Sequence, residues 1–317
     1  MEPSVDIVIV NWNTGPALKE CLESIVAASR RIRLTRVVVV DNASTDDSLR
    51  LAEQAGVLTD VVRNAANRGF AAACNQGALH SRADYLLFLN PDTRLYPETL
   101  SKAVAFMQDP GLQDVGICGV RLVDDEGRPS TAAARFPTLR VLFGEATALS
   151  RALPSLFPPH LLSARECEST REVDQVIGAF FLTRRRLFEA LSGFDERFFV
   201  YFEEVDLSLR ARHMGYRSMY FGEACAYHRG GLSSDQVRAT RLFYSLRSRL
   251  LYAFKHFTGA AAWLTVLMTF GIEWPARSVL ALRRGGSELA EVGHAYRRLS
   301  AFVRSAGWRH SQAQRVP

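Results

Sequence analysis

The 317-residue chain is poor in cysteine and spaces it in no ligand-like way. Cys21, Cys74, Cys118, Cys167 and Cys225 are an odd number with no CxxC pair. That excludes a zinc ribbon and a complete disulfide framework, and it points to a reducing compartment. No Walker A loop, GxSxG elbow, internal repeat or low-complexity stretch occurs. No secretory signal opens the chain, because Met1–Asp6 is short and acidic and a strand-like run already begins at Val5. Long apolar runs are missing as well. His256–Ile272 holds 17 residues without Lys, Arg, Asp or Glu, just under the length that crosses a bilayer. Acids are scarce at the end of the chain: from Arg238 on there are 13 Lys or Arg against 3 Glu, while the preceding body carries 26 basic and 30 acidic residues. A basic tail favours phosphate-rich partners. This tail has no nucleic-acid-binding signature and is too apolar for that use, so it reads equally as a region that meets an anionic membrane surface and as a helical cap burying apolar surface on the preceding domain.

What is present is a large apolar fraction in alternating patterns, enough for one large domain and an appendage. Strands are predicted at Val5–Val10, Arg36–Val40, Leu58–Val62, Tyr85–Leu89 and Val115–Val120. Helices are predicted over Pro16–Ala28, Ser48–Ala55, Phe70–His80 and Pro97–Met107, the second capped by Ser44-Thr45-Asp46-Asp47. Such alternation predicts an α/β fold with a mostly parallel sheet and helices on both faces. Residues 121–172, interrupted by Gly and Pro, read as an insertion. A strand over Val173–Leu182, helices over Arg184–Leu191 and Phe202–His213 and a strand over Tyr216–Tyr220 follow. From Val237 the pattern is helical only. The expected division is one α/β domain over 1–236, its two halves meeting at about residue 120, and a basic amphipathic helical region over 237–317.

Ligands of a parallel sheet collect at the carboxyl ends of its strands. Three polar clusters fall there: Asn11-Trp12-Asn13, Asp41-Asn42 and Asn90-Pro91-Asp92. Each alone is ordinary turn chemistry; together at one edge they read as a site. Asp92 is the natural ligand for Mg²⁺ or Mn²⁺ shared with a diphosphate. Arg68 and Gly69 precede a helix carrying Asn75, where backbone N–H groups meet an anion. Glu203, Glu204 and Asp206 open another helix, where the dipole favours acids. The aromatic residues just before them imply a pocket that raises a carboxylate pKa toward general-base range. His228 precedes Gly230-Gly231, a flexible closing loop.

These residues, in this order and spacing, resemble family 2 glycosyltransferases of the GT-A (Rossmann-like) fold, especially bacterial rhamnosyltransferase-like members, from about Val5 to Ser234. The resemblance implies that Asp41 contacts the donor's base and that Asp92 is the metal ligand of an Asp-x-Asp motif whose first acid is here Asn90. It implies that Glu204 is the catalytic base with Glu203 its companion, that His228 completes the metal site, and that Gly178 and Ala179 lie by the donor sugar. Asn11, Asn13, Asn42, Arg68 and Asn75 belong to the same donor-binding set. The expected function is inverting transfer from a nucleotide-diphosphate sugar, with dTDP-rhamnose the subgroup donor, to a glycan or polyprenyl-diphosphate-linked acceptor in cell-surface polysaccharide synthesis, in the cytoplasm and peripherally on the inner face of the membrane. A catalytically silent nucleotide-sugar scaffold and a sugar nucleotidyltransferase remain alternatives.

Overall fold

The structure is a computed structural model that describes residues 3–230, 238–305 and 308; Gly231 and the remainder of the tail lie outside them. The residues group into two compact units. The first comprises Met1–Phe136, Leu161–Glu196 and Glu203–Ser233, and the second Pro137–His160, Arg197–Phe202 and Ser234–Pro317. Packing thus gives the helical unit two segments, 137–160 and 197–202, that a single sequence boundary at 236 assigns to the α/β domain.

The first unit is built on β1 (Ser4–Asn11), β2 (Arg33–Asp41), β3 (Asp60–Arg63) and β4 (Tyr85–Leu89). β1 pairs in parallel with β2 and with β4, and β2 with β3. Their runs Ile7–Val10, Val37–Val40 and Leu86–Leu89 are continuous and apolar because both faces of such a sheet are covered. Each fully buried Val, Leu, Ile or Phe contributes roughly 1.5–3 kcal/mol. The crossovers are α1 (Ala17–Ala28), α2 (Ser48–Ala52) and α3 (Phe70–Ala78). α1 buries Leu18, Cys21, Leu22 and Ile25 on the face their spacing predicts. α2 ends three residues early, and Asp46 rather than a cap residue proper accepts from the Ser48 N–H (3.2 Å) and hydroxyl (2.6 Å). α3 lies so close to the sheet that a Cβ on Gly77 would stand 2.4 Å from Val8 Cγ1 and 3.1 Å from Val40 Cγ2. Gly77→Ala therefore lowers stability by about 1–3 kcal/mol through overpacking, measurable by denaturant unfolding.

The rest of the sheet is mixed. After β5 (Thr93–Leu95) and α4 (Thr99–Gln108) come β6 (Val115–Val123), β7 (Pro129–Ser130) and β8 (Ala133–Ala134). The predicted single strand at 173–182 is three short ones, β9 (Arg171–Val173), β10 (Gln175–Val176) and β11 (Phe180–Arg184), because each pairs with a different partner. β11 inserts antiparallel between β4 and β6. β12 (Arg217–His228) runs eight residues past the predicted strand end and pairs parallel with β6 and antiparallel with β5. The main order is β3-β2-β1-β4-β11-β6-β12-β5. It reverses direction between β1 and β4, and ligands settle at such a reversal. α7 (Arg185–Ala190) and α8 (Glu203–His213) complete this unit.

The second unit is helical: α5 (Leu139–Ala146) and α6 (Leu149–Ala152) in the region read as an insertion, then α9 (Arg238–His256), α10 (Gly259–Met268), a π turn over Thr269–Glu273, α11 (Trp274–Arg284) and α12 (Gly286–Arg304). No described helix is long and apolar enough to cross a membrane.

Candidate active site

Parallel pairing sets Asn11 opposite Asp41 and Asp41 opposite Arg63, so the β1, β2 and β3 exits share one edge of the sheet with the end of β4. Asn11 is fully buried, and its amide donates to Asp41 Oδ1 (2.8 Å), Ser48 Oγ (2.8 Å) and Ser44 Oγ (3.1 Å) while its oxygen accepts from the Thr14 hydroxyl. The other Asp41 oxygen accepts from the Ser44 N–H at 3.1 Å. Asn42 is 2% exposed, donates to Gly69 O and accepts from the Asn64 amide. Asn11 and Asn42 are therefore struts behind Asp41 and the α3 entry. Their polar atoms are engaged within the protein. Asn13, at φ +52°, accepts from the Thr45 N–H (2.7 Å) and ties the β1–α1 turn to the β2–α2 loop. Arg68 is exposed beside Gly69, whose φ of +86° favours glycine at the start of α3.

A second cluster forms where β4 ends. The Asn90 N–H (3.1 Å) and the Thr93 hydroxyl (3.3 Å) both donate to Ala179 O, which fastens Gly178-Ala179 to the Asn90–Asp92 turn. β5–β12 pairing sets Thr93 opposite His228 and brings His228 Nε2 to 3.4 Å from Asp92 Oδ1. The Asn90 side chain is half-buried and makes no hydrogen bond among the described residues. Asn90, Asp92, Gly178, Ala179 and His228 thus come together from three distant segments.

The donor set fits a divalent cation only in part. Among the described residues no group of three or more His, Cys, Asp or Glu side chains is placed to hold a metal. One carboxylate oxygen and one imidazole nitrogen are too few for an all-protein cage. They suit a cation whose other ligands are water and substrate phosphate.

The third cluster is the start of α8. Glu203 is 5% exposed, and Oε2 of Glu203 and of Glu204 are both shut away from water without a hydrogen-bond partner among the described residues. Burial pushes Glu204 up to about 6. Burial, reinforced by the Glu204 charge, pushes Glu203 well above the carboxylate range. Asp206, the third acid, is in a different state: fully buried, it pairs with Arg210 at 2.8 Å. Arg210 also donates to Leu191 O (2.6 Å) and Gly193 O (2.9 Å) and so holds the loop before α8.

Asn75 clamps the same loop from α3. Its amide donates to Phe194 O (2.8 Å) and Glu196 Oε1 (3.1 Å), and its oxygen accepts from the Phe194 N–H (2.9 Å). Asn75 thereby holds the loop that leads to the acids. Its neighbour Cys74 is buried, and its thiol is pushed up by burial and by the charges of Glu203 and Glu204, which places α3 beside the acid pair. Phe194 packs on Phe88 of β4 at 4.9 Å between centroids, two residues before Asn90. The loop leading to the acids is thus seated on the strand that delivers Asp92. Sequence reading placed Ser44 in a helix cap and Phe194 among the aromatics before the acids, and it overlooked Ser48 and Arg210, of which only Arg210, four residues after Asp206 on one helix, had a signal.

The comparisons agree with this geometry. Residues 6–192 match the family Glycosyl transferase family 2. The N-acetylglucosaminyl-diphospho-decaprenol L-rhamnosyltransferase of Mycobacterium tuberculosis is 27% identical over 296 residues, covering 89% of this chain and 92% of that protein. The putative glycosyltransferase EpsE of Bacillus subtilis is 26% identical over 78% of this chain and 80% of its own length. In fold, the chain resembles a mannosyltransferase from Pyrobaculum calidifontis solved with GDP-Man and Mn²⁺, with a TM-score of 0.55 at 17% identity over 99% of this chain and 84% of that one. With that family matched over more than half of its length, the chain belongs to glycosyl transferase family 2 and is a glycosyltransferase.

Proposed function

We propose that the protein moves rhamnose from dTDP-rhamnose to a hydroxyl of a polyprenyl-diphosphate-linked glycan, with inversion, in cell-surface polysaccharide synthesis at the cytoplasmic face of a membrane. The observation that carries the chemistry is the acid pair of α8, two carboxylates with unpartnered buried oxygens pushed toward neutral pH. The sugar and the lipid-linked acceptor come from the mycobacterial rhamnosyltransferase, whose length this chain nearly spans.

Glu204 takes the proton of the acceptor hydroxyl. The freed oxygen bonds to the anomeric carbon as the bond from that carbon to the diphosphate oxygen breaks, and the nucleoside diphosphate leaves with the electron pair. One displacement inverts the centre. Glu203 keeps its proton, so no second negative charge opposes the ionisation of Glu204. Asp41 receives the donor's base, with Asn11 and Ser44 holding the carboxylate in place. Arg68 meets phosphate, and Asn13 shapes the turn at that edge. Gly178 and Ala179 border the donor sugar, and among the described residues, chain neighbours aside, nothing stands within 4 Å of where a Gly178 Cβ would be. Asp92 and His228 would hold Mg²⁺ or Mn²⁺, which when bound neutralises charge growing on the leaving diphosphate.

The test is incubation with dTDP-rhamnose, Mn²⁺ and polyprenyl-diphosphate-linked N-acetylglucosamine. The expected result is a lipid heavier by one deoxyhexose and one dTDP released per transfer. Consumption of a different nucleotide sugar from a panel would overturn the donor, and consumption of none would overturn transfer itself.

A further inference from the structure

We infer that the continuous helical stretch of α10, the π turn and α11 is a docking surface for an anionic lipid interface, lying in the plane of the headgroups; its purpose, though not its existence, rests on the lipid-linked acceptor proposed above. Among the described residues, eight of the seventeen exposed large apolar side chains fall between positions 263 and 282. They include Trp263, Leu264 and Leu267 on α10 and Val279, Leu280 and Leu282 on α11, with Leu267 66% and Leu282 64% exposed. Scattered apolar residues on a surface need no explanation, but a contiguous set marks a surface that meets something apolar. α11 buries Ala281 alone among its eleven residues, and its Val279, Leu280 and Leu282 are each more than half exposed.

The charge on the stretch names the occupant. Its single acid, Glu273, is 6% exposed and lies between Arg249 and Arg277. What faces outward is apolar or cationic. Arg283 makes no ion pair among the described residues, and Arg284 reaches Glu288 only at 3.8 Å with its own side chain 70% exposed. A second copy would bring another set of uncompensated arginines to the same surface, whereas lipid phosphates neutralise them. Two tryptophans are held for the purpose: Trp274 stacks on Tyr296 at 5.3 Å, and Trp263 stands edge-on to Phe254 at 5.3 Å, each with its outer side exposed. Apolar face, arginines and half-set indoles are the composition of an interfacial helix.

The experiment is co-sedimentation of the full chain with vesicles of phosphatidylcholine alone and of equimolar phosphatidylcholine and phosphatidylglycerol. The expected result is binding to the anionic vesicles, weakened by salt, and a loss of roughly tenfold or more in Leu280→Glu/Leu282→Glu and in Arg283→Glu/Arg284→Glu. Thermal melting confirms that these surface variants fold. Three results overturn the inference: no sedimentation, sedimentation that the variants share, or equal binding to neutral vesicles. A concentration-dependent dimer by light scattering that Leu280→Glu/Leu282→Glu abolishes overturns it in favour of a second copy. Nucleotide-sugar consumption with a detergent-dispersed acceptor is read in parallel and is unchanged in the variants. Failure on vesicles therefore leaves glycosyl transfer standing, and loss of transfer leaves vesicle binding standing.

Discussion

Glu204→Gln removes turnover and leaves donor binding in place. The amide matches the carboxylate in shape and cannot take a proton, so the expected fall in kcat is about 10²–10⁴-fold, the range of a positioned general base. The dissociation constant for dTDP-rhamnose, measured by calorimetry, stays within a few-fold of wild type. Two pH experiments separate a base from a structural acid. In the wild type kcat/KM rises with pH through about 6, because Glu204 works only when ionised and burial holds its proton to that pH. The variant loses this limb. Stability moves the opposite way: a carboxyl whose folded pKa lies above its unfolded value contributes stability below the unfolded value and loses it as pH rises through the folded one. At pH 7 the wild type carries the burial penalty of an ionised Glu204, so Glu204→Gln melts at an equal or higher temperature. Wild-type-like turnover, or a variant that melts lower only above pH 6, removes the assignment.

Asp92→Ala has the other large effect. Asp92 supplies the one carboxylate of the Asp92–His228 pair, at 3.4 Å from the imidazole, and His228 alone cannot keep a hard cation on a diphosphate. The expected result is that Mn²⁺ no longer tightens dTDP binding in calorimetric titration. kcat/KM should fall by roughly a thousandfold, the several kcal/mol that a cation contributes to a departing diphosphate. Because Asp92 is 9% exposed and its backbone oxygen holds the Arg229 N–H at 3.2 Å, the fold survives the change. Equal tightening by Mn²⁺ in variant and wild type would place the metal elsewhere. His228→Ala is the graded control, weakening Mn²⁺ dependence without abolishing it.

Much of the site was legible in the chain as separate pieces. Asn90-Pro91-Asp92 follows a run too apolar to be anything but a buried strand, and a carboxylate there stands at the sheet edge. The Glu203-Glu204 pair was visible as acids after a string of aromatics. Their roles were less legible. Asn11, Asn42 and Asn75 share the polar chemistry of ligands, yet all three are engaged inside the protein, since hydrogen-bond saturation depends on partners such as Ser48 and Phe194, the latter 119 positions from Asn75. The membrane question was evenly balanced in the sequence, where a basic, apolar tail serves equally as a cap or as a docking face. The exposure of Leu280 and Leu282, which no periodicity reveals, is what the proposed lipid docking is argued from.

By itself the sequence determined the parallel half of the sheet, because runs such as Val37–Val40 are stable only with both faces covered, and helical spacing such as Leu18, Cys21, Leu22 and Ile25 has one face to bury. It also determined which carboxylates stand at strand exits and helix starts. Only the tertiary structure decided that β11 enters antiparallel beside β4, that Ala179 binds the Asn90 turn, and that His228 meets Asp92. Those contacts join residues scores of positions apart, and local propensity does not encode which distant backbone edges will pair.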